Sequence, residues 1–307
     1  MQVLRGYHAA ASHETALTIG NFDGVHLGHR ALLDRLQVRA RQKRLLPAVL
    51  TFEPHPREFF DPDKAPARLT ILREKFELLR EYGVGLTMVA RFSASFAALS
   101  PEAFVRDVLV GGLRTRHLIV GDDFRFGARR AGDFATLRAL GASAGFEVEA
   151  MGSVICDDER VSSSAVRRAL AAGEMTRAAQ LLGRPYAIDG RVVHGDKRGR
   201  ELGFPTANIR IRHNPLPMTG VFAVAVADYC DAPRYGVANL GVRPTVNGVR
   251  PLLEVHLFDF ARDIYGAHLN VRFLHKLRDE RRFPDLDALR QQIAADVIAA
   301  RRFFETN

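Results

Sequence analysis

The chain has 307 residues, 47% of them hydrophobic, enough for two domains with ordinary cores. A formal charge of +9, from 44 Lys and Arg against 35 Asp and Glu, suits an anionic partner. The basic residues are scattered in pairs such as Arg129-Arg130 and Arg281-Arg282 without interleaved aromatics, which favours small phosphorylated ligands over nucleic acid. No apolar run approaches the ~20 residues that span a bilayer, so no membrane partner is expected. Residues 1–6 lack a signal-peptide core, and Cys156 and Cys230 form neither a disulfide framework nor a Cys-x-x-Cys pair. We expect a cytoplasmic protein.

The first half alternates strand-like and helix-like segments. Short apolar runs at 17–20, 48–52, 86–90, 117–121 and 147–151 lack strict alternation, as strands buried on both faces of a parallel sheet do. Helical periodicity falls between them, over 29–43, 71–82, 101–110 and 134–140. This pattern predicts an α/β doubly wound parallel sheet with ligands at the carboxyl ends of its strands. Two short helices, 164–172 and 175–182, follow, and Gly183 and Pro185 place a domain boundary after residue 183. The second domain, 184–307, has strand-like runs at 221–227, 235–240, 252–258 and 269–273. Its last helix opens near Asp285 and carries Leu286, Leu289, Ile293 and Val297 on one face. That combination predicts a small antiparallel β-barrel with a terminal helix.

Residues 21–29 carry the strongest chemical signal. Asn21-Phe22-Asp23-Gly24-Val25-His26-Leu27-Gly28-His29 sits where the first predicted strand passes into a helix whose face holds Leu32, Leu33, Leu36 and Ala40. A helix N-terminus there offers free N–H groups to an anion. Gly24 and Gly28 let the backbone approach phosphates, and His26 and His29 can donate to an α-phosphate as it gains charge. The same two imidazoles could share a metal, although zinc needs a third ligand that the motif does not supply.

Three further segments of the first domain lie at element ends. Thr51-Phe52-Glu53-Pro54-His55-Pro56 is a stiff loop after a strand. In Gly121-Asp122-Asp123-Phe124-Arg125-Phe126-Gly127, aromatic and polar groups suit a planar ligand or a polar turn over two buried rings. Ser162-Ser163-Ser164-Ala165-Val166-Arg167 reads as a serine N-cap with hydroxyls and a guanidinium fit for phosphates. In the second domain, the glycines and basic residues of 195–203 precede Thr206 and Asn208, a plausible cradle for phosphates and an oxygen-bound cation, or a basic hairpin. Strand alternation sets Glu254 and His256 opposite Leu253, Val255 and Leu257, so Glu254 can act as a general base or be an ordinary exposed glutamate.

Taken together and in order, these motifs resemble the bacterial bifunctional riboflavin kinase/FMN adenylyltransferases, the FAD synthetases. The likeness runs nearly end to end, through residues 21–29, 51–56, 121–127, 162–167, 191–208, 220–222, 238–245 and 254–265. It implies an N-terminal adenylyltransferase domain and a C-terminal six-stranded barrel with kinase activity. The barrel would phosphorylate riboflavin to FMN with ATP, using Glu254 as base and Thr206 and Asn208 to hold Mg²⁺. The first domain would adenylylate FMN to FAD, with His26 and His29 stabilising the developing charge. Asn21, Phe22, Asp23, Gly24, Gly28, Ser163 and Arg167 would bind that ATP; Gly195, Lys197, Gly199 and Gly203 would bind the ATP of the kinase. Asp123, Phe124, Phe126 and Arg278 would contact flavin, with Glu280 in the same loop as Arg278. The family often has Ser-Ser-Thr where this chain has Ser162-Ser163-Ser164, which keeps the hydroxyl. The implied partners are riboflavin, FMN and ATP, with no nucleic acid and no obligate protein. An RNA-acting protein is the rival of another class, and a flavin-binding protein that has lost one activity is a second.

Overall fold

The computed structural model describes residues 1–195, 203–227, 233–245 and 248–306, the side chains of 243–245 and 248–250 excepted. The chain forms two compact units, one of Met1–Pro66 with Leu72–Val161, the other of Ala67–Ile71 with Ser162–Asn307.

In the first unit the order is β1 (Gln2–Arg5), β2 (Thr15–Ile19), α1 (Leu27–Lys43), β3 (Leu46–Glu53), α2 (Pro56–Phe60) and α3 (Leu72–Glu81). There follow β4 (Leu86–Arg91), α4 (Ala94–Ala97), α5 (Pro101–Ala103), β5 (Thr115–Gly121), α6 (Phe134–Ala144) and β6 (Glu147–Met151), then a hairpin of β7 (Ile155–Cys156) and β8 (Glu159–Arg160). All neighbours in the main sheet are parallel, in the order β1-β4-β3-β2-β5-β6. The central strands are apolar on both faces because helices cover both. Leu17, Leu50 and Leu118 point into one cluster with Phe104, Leu109 and Leu137. Their neighbours Ala16, Val49 and Ile119 point into another with Leu33, Leu36 and Leu79. Each such leucine stabilises the fold by roughly 2 kcal/mol.

Chain order reverses at β2: β3 and β4 lie to one side of it, β5 and β6 to the other. The carboxyl end of such a strand opens a crevice, and residues 21–29 leave from it. The expected helix at 101–110 begins as α5 and widens over Phe104–Gly112 into a π-helix, closed by Leu113 N–H donating to the Val108 carbonyl at 2.9 Å.

The second unit begins with α7 (Ser163–Ala172) and α8 (Met175–Leu182). These helices precede the boundary expected from sequence, but by contact they group with the barrel. The barrel comprises β9 (Tyr186–Val193), β10 (Ala207–Arg210), β11 (Gly220–Ala227), β12 (Arg234–Thr245), β13 (Gly248–Leu257) and β14 (His268–Arg278), and α9 (Leu286–Thr306) ends it. The six strands are antiparallel and close in the order β10-β13-β12-β11-β14-β9. Closure removes the edges that an open sheet would expose. Asp285 caps α9 by accepting the Ala288 N–H at 2.8 Å. The helix covers one outer face of the barrel, where Val297, Phe303 and Ala300 meet Val221, Ala223 and Val237.

Candidate active sites

The first site grows from the strand-to-helix turn after β2. Its backbone is strained: Phe22 and Val25 hold φ of 48° and 40°, and Gly24 holds 82°. A left-handed β-branched residue costs about 1–3 kcal/mol and persists where the surroundings impose it, as functional loops do. Phe22 and Val25 are fully buried and anchor the turn in the core.

His26 is the N-cap of α1, its Nδ1 accepting the His29 N–H at 3.3 Å. An accepting Nδ1 places the imidazole proton on Nε2, so His26 offers Nε2 as its N–H donor. The His29 ring stacks on it, centroids 3.7 Å apart and planes 16° from parallel. Gly28 makes room for this, since a Cβ there would lie 3.2 Å from Cε1 and Nδ1 of His26. Burial first, then the His26 ring and Lys75, hold the His29 imidazole well below the ordinary histidine range, so it is neutral at physiological pH. Nδ1 of His29 and Oδ1 of Asn21 are buried with no hydrogen-bond partner. An unmade bond on a buried polar atom costs about 1–3 kcal/mol, and both of these atoms lie at this one turn.

Among the described residues no three His, Cys, Asp or Glu side chains are arranged to hold a metal. The Nδ1 of His26, one of the two nitrogens that the shared-metal alternative would use, accepts the cap N–H.

Asp123 is exposed and takes an ion pair from Arg160 at 2.7 Å, which ties it to the β7–β8 hairpin. Phe126, expected at the flavin, is buried in the core against Phe104; its neighbour Phe124 is the ring with a part-exposed face, 5.8 Å from Phe126 and nearly parallel to it. Ser163 and Arg167 lie on the first two turns of α7 in the other unit. There Ser162 is the cap, accepting from the Ala165 N–H, and Arg167 donates through Nε to the Ala67 carbonyl at 2.6 Å.

The second site lies on the barrel. Asn208 of β10 is in register with Glu254 of β13, which is in register with Asn239 of β12. Cross-strand partners share a face, so these three form one polar row. The alternate residues Leu253 and Val255 are buried, as the alternation predicts. Thr206, two residues before Asn208, lies at the edge of an open cleft of about 380 Å³ lined also by Leu257, Phe260, Ile264 and Tyr265. His256 fixes the approach to Thr206, its Nδ1 lying 2.9 Å from the Pro205 carbonyl. Gly195 abuts the amide of Asn208 so closely that a Cβ would occupy the same space. Gly203 holds φ of 87°, which favours glycine. Lys197 and Gly199 lie outside the described residues.

Sequence reasoning missed Asn239, which only strand register reveals. Asn239 also hydrogen-bonds Glu280, whose carboxyl burial pushes up against that bond and the nearby Arg278 charge. Arg278 has its guanidinium engaged: Nε and Nη2 meet the buried Asp296 carboxylate at 2.9 and 2.8 Å, and Nη1 donates to the Asp279 carbonyl. It ties β14 to α9.

An α/β unit with a histidine pair at its switch point, joined in sequence to a closed barrel with an oxygen-rich row, is the architecture of a two-domain transferase. The family model for FAD synthetase matches residues 8–165, and that for riboflavin kinase matches residues 182–304. The chain is 51% identical over 307 residues to the bifunctional riboflavin kinase/FMN adenylyltransferase of Escherichia coli (strain K12), covering 99% of this chain and 98% of that protein. It is 48% identical to the Haemophilus influenzae protein of the same name, with full coverage of both. A crystal structure of a Streptococcus pneumoniae protein described as a macrolide-efflux protein superposes with a TM-score of 0.84 at 28% identity, over 96% of this chain and 97% of that one. No helix among the described residues is long and apolar enough to cross a membrane. The chain belongs to the bifunctional riboflavin kinase/FMN adenylyltransferase family.

Proposed function

We propose that this chain makes FAD from riboflavin by two successive transfers from ATP, the first on the barrel and the second at the histidine turn. In the first, the terminal ribityl hydroxyl attacks the γ-phosphorus, the bond to the β–γ bridging oxygen breaks, and ADP leaves. Glu254 takes the hydroxyl proton, as a carboxylate fixed on a strand is suited to do. The cleft beside Thr206 is lined by apolar groups such as Leu257, Phe260 and Ile264 together with the polar Thr206, Arg262 and Asp263, a mixture suited to a flat ring and to phosphates.

The donors of this row fit Mg²⁺. Thr206 Oγ1, Asn208 Oδ1 and Glu254 are hard oxygens, and the Gly195 backbone shapes the place of the Asn208 amide. Bound there, the ion supplies charge neutralisation on the phosphate oxygens.

In the second transfer a phosphate oxygen of FMN attacks the α-phosphorus of ATP, the α–β bridging bond breaks, and pyrophosphate leaves. No proton need move and no covalent intermediate with the chain is required. His26 donates from Nε2 toward the charge that develops on the α-phosphate, and neutral His29 backs it from the adjoining ring. Asn21 and the N–H groups opening α1 would bind the anion, with Phe124 and Asp123 toward the flavin. Riboflavin, FMN and ATP are the partners, and a cytoplasmic location suits two cysteines so far apart in sequence.

The observation that supports this reading best is the stacked histidine pair beside two unpartnered buried polar atoms. The test is a time course with riboflavin, ATP and Mg²⁺, resolving flavins by chromatography. FMN should rise and then give way to FAD. FMN alone would remove the role given to the histidine turn.

A further inference from the structure

The sheet unit buries a cation that neither transfer described above employs. Helix α3 buries Glu74, Lys75 and Leu79, and Lys75 is only 6% exposed. Lysine is almost never this deeply buried without partners and a reason. Its Nζ donates to Thr51 Oγ1 at 3.4 Å; Thr51, fully buried near the carboxyl end of β3, donates in turn to the Asn21 carbonyl at 3.3 Å. The relay thus runs from α3 through β3 to the first residue of the histidine turn. The Lys75 charge also acts on the His29 ring.

We infer that Lys75 is a positioning residue of the adenylyl-transfer centre, anchoring the turn through Thr51 and setting its ammonium toward the His29 side of the histidine pair. This rests on the reading of that turn as the adenylyl-transfer site. Two roles follow from the geometry. The relay fixes the Asn21 backbone, where a displacement of about an ångström costs a catalytic site on the order of 100-fold. The charge adds to burial and to the His26 ring in holding the His29 imidazole below the ordinary histidine range, which keeps it an N–H donor rather than a competing base. The titratable groups acting on His29 are His26 from its own turn and Lys75 from α3; the same loop also buries Asp23, and the same helix Glu74.

The test uses the full chain in Lys75→Gln, Lys75→Arg and Thr51→Val forms. The His29 imidazole is titrated by NMR in histidine-labelled protein, with His29→Gln to assign its signal. Lys75→Gln should raise the His29 titration by roughly half a pH unit or more, since it removes a charge that lowers it. It should also lower FAD formation from FMN about tenfold or more while riboflavin phosphorylation is kept. Lys75→Arg should keep the titration and recover most of the activity. Thr51→Val should lower FAD formation without moving the titration, because it cuts the relay and leaves the charge. An unmoved His29 titration in Lys75→Gln, or Lys75→Arg no better than Lys75→Gln, overturns the inference. If Lys75→Gln does not fold, Thr51→Val decides, and unchanged FAD formation there overturns it. Failure of the wild-type chain to convert FMN to FAD is a failure of the underlying reading, and the NMR titration still reports on the charge.

Discussion

Replacing Gly28 with alanine adds one methyl group where the adenylyl-transfer turn has least room. The new Cβ would lie 3.2 Å from both Cε1 and Nδ1 of His26 and 3.5 Å from the Val161 carbonyl oxygen. Comfortable carbon contacts begin near 3.5 Å, so the ring must move by a few tenths of an ångström. It has little space to do so, being 6% exposed and stacked on His29 at 3.7 Å. The ring therefore tilts, and the 3.3 Å bond from the His29 N–H to its Nδ1 weakens. Losing that cap costs about 1 kcal/mol, while alanine in place of glycine in a helix returns up to about 1 kcal/mol, so stability should change little. The displaced Nε2 donor loses part of the ~100–1000-fold that a transition-state donor contributes, which predicts a fall of about 10–100-fold in FAD formation. The assay measures FAD from FMN and ATP, with riboflavin phosphorylation by the same sample as the reference and a thermal melt for stability. FAD formation within about twofold of wild type, or an equal fall in both activities, would refute the reasoning about the ring.

Three other changes test separate parts of the structure. Gly195→Ala places a Cβ where the Asn208 amide now sits, so riboflavin phosphorylation should fall on the order of 100-fold with FAD formation from FMN intact, read in the same paired assay. Arg278→Ala leaves the Asp296 carboxylate buried without its bidentate partner and should destabilise the barrel unit by on the order of 3 kcal/mol, seen as a lower urea midpoint. Burial raises the Glu149 carboxyl, but hydrogen bonds from Arg39 and Arg35 outweigh it and leave the pKa below the ordinary glutamate value of 4.5. Its stabilising contribution is thus present above that pH and lost as pH falls through the lowered value, so Glu149→Gln should flatten the acid loss of stability in urea titrations below about pH 4.5.

The parts of the fold legible in the sequence are those with a strong periodic signature. The five strands from β2 to β6 read as apolar runs because most are covered on both faces, and α1 reads from Leu33, Leu36 and Ala40. Strand β1, at the sheet edge and largely exposed, left no such run, and β10 is only four residues long. The histidine turn was legible because a strand end, glycines and two imidazoles coincide. Lys75 was not, since a lysine on an amphipathic helix reads as surface and only the packing of α3 shows it buried. Glu254 could be placed on a face by alternation. Its partners Asn208 and Asn239 required the register of three strands, which local sequence does not specify.

If one chain carries two independent transfer sites, His29→Ala and Glu254→Ala should separate them when FMN formed from riboflavin and FAD formed from FMN are assayed individually. His29→Ala should cripple FAD formation and spare phosphorylation; Glu254→Ala should abolish phosphorylation and leave FAD formation from supplied FMN. Loss of both steps by either substitution, with the protein still folded, would contradict the two-site account.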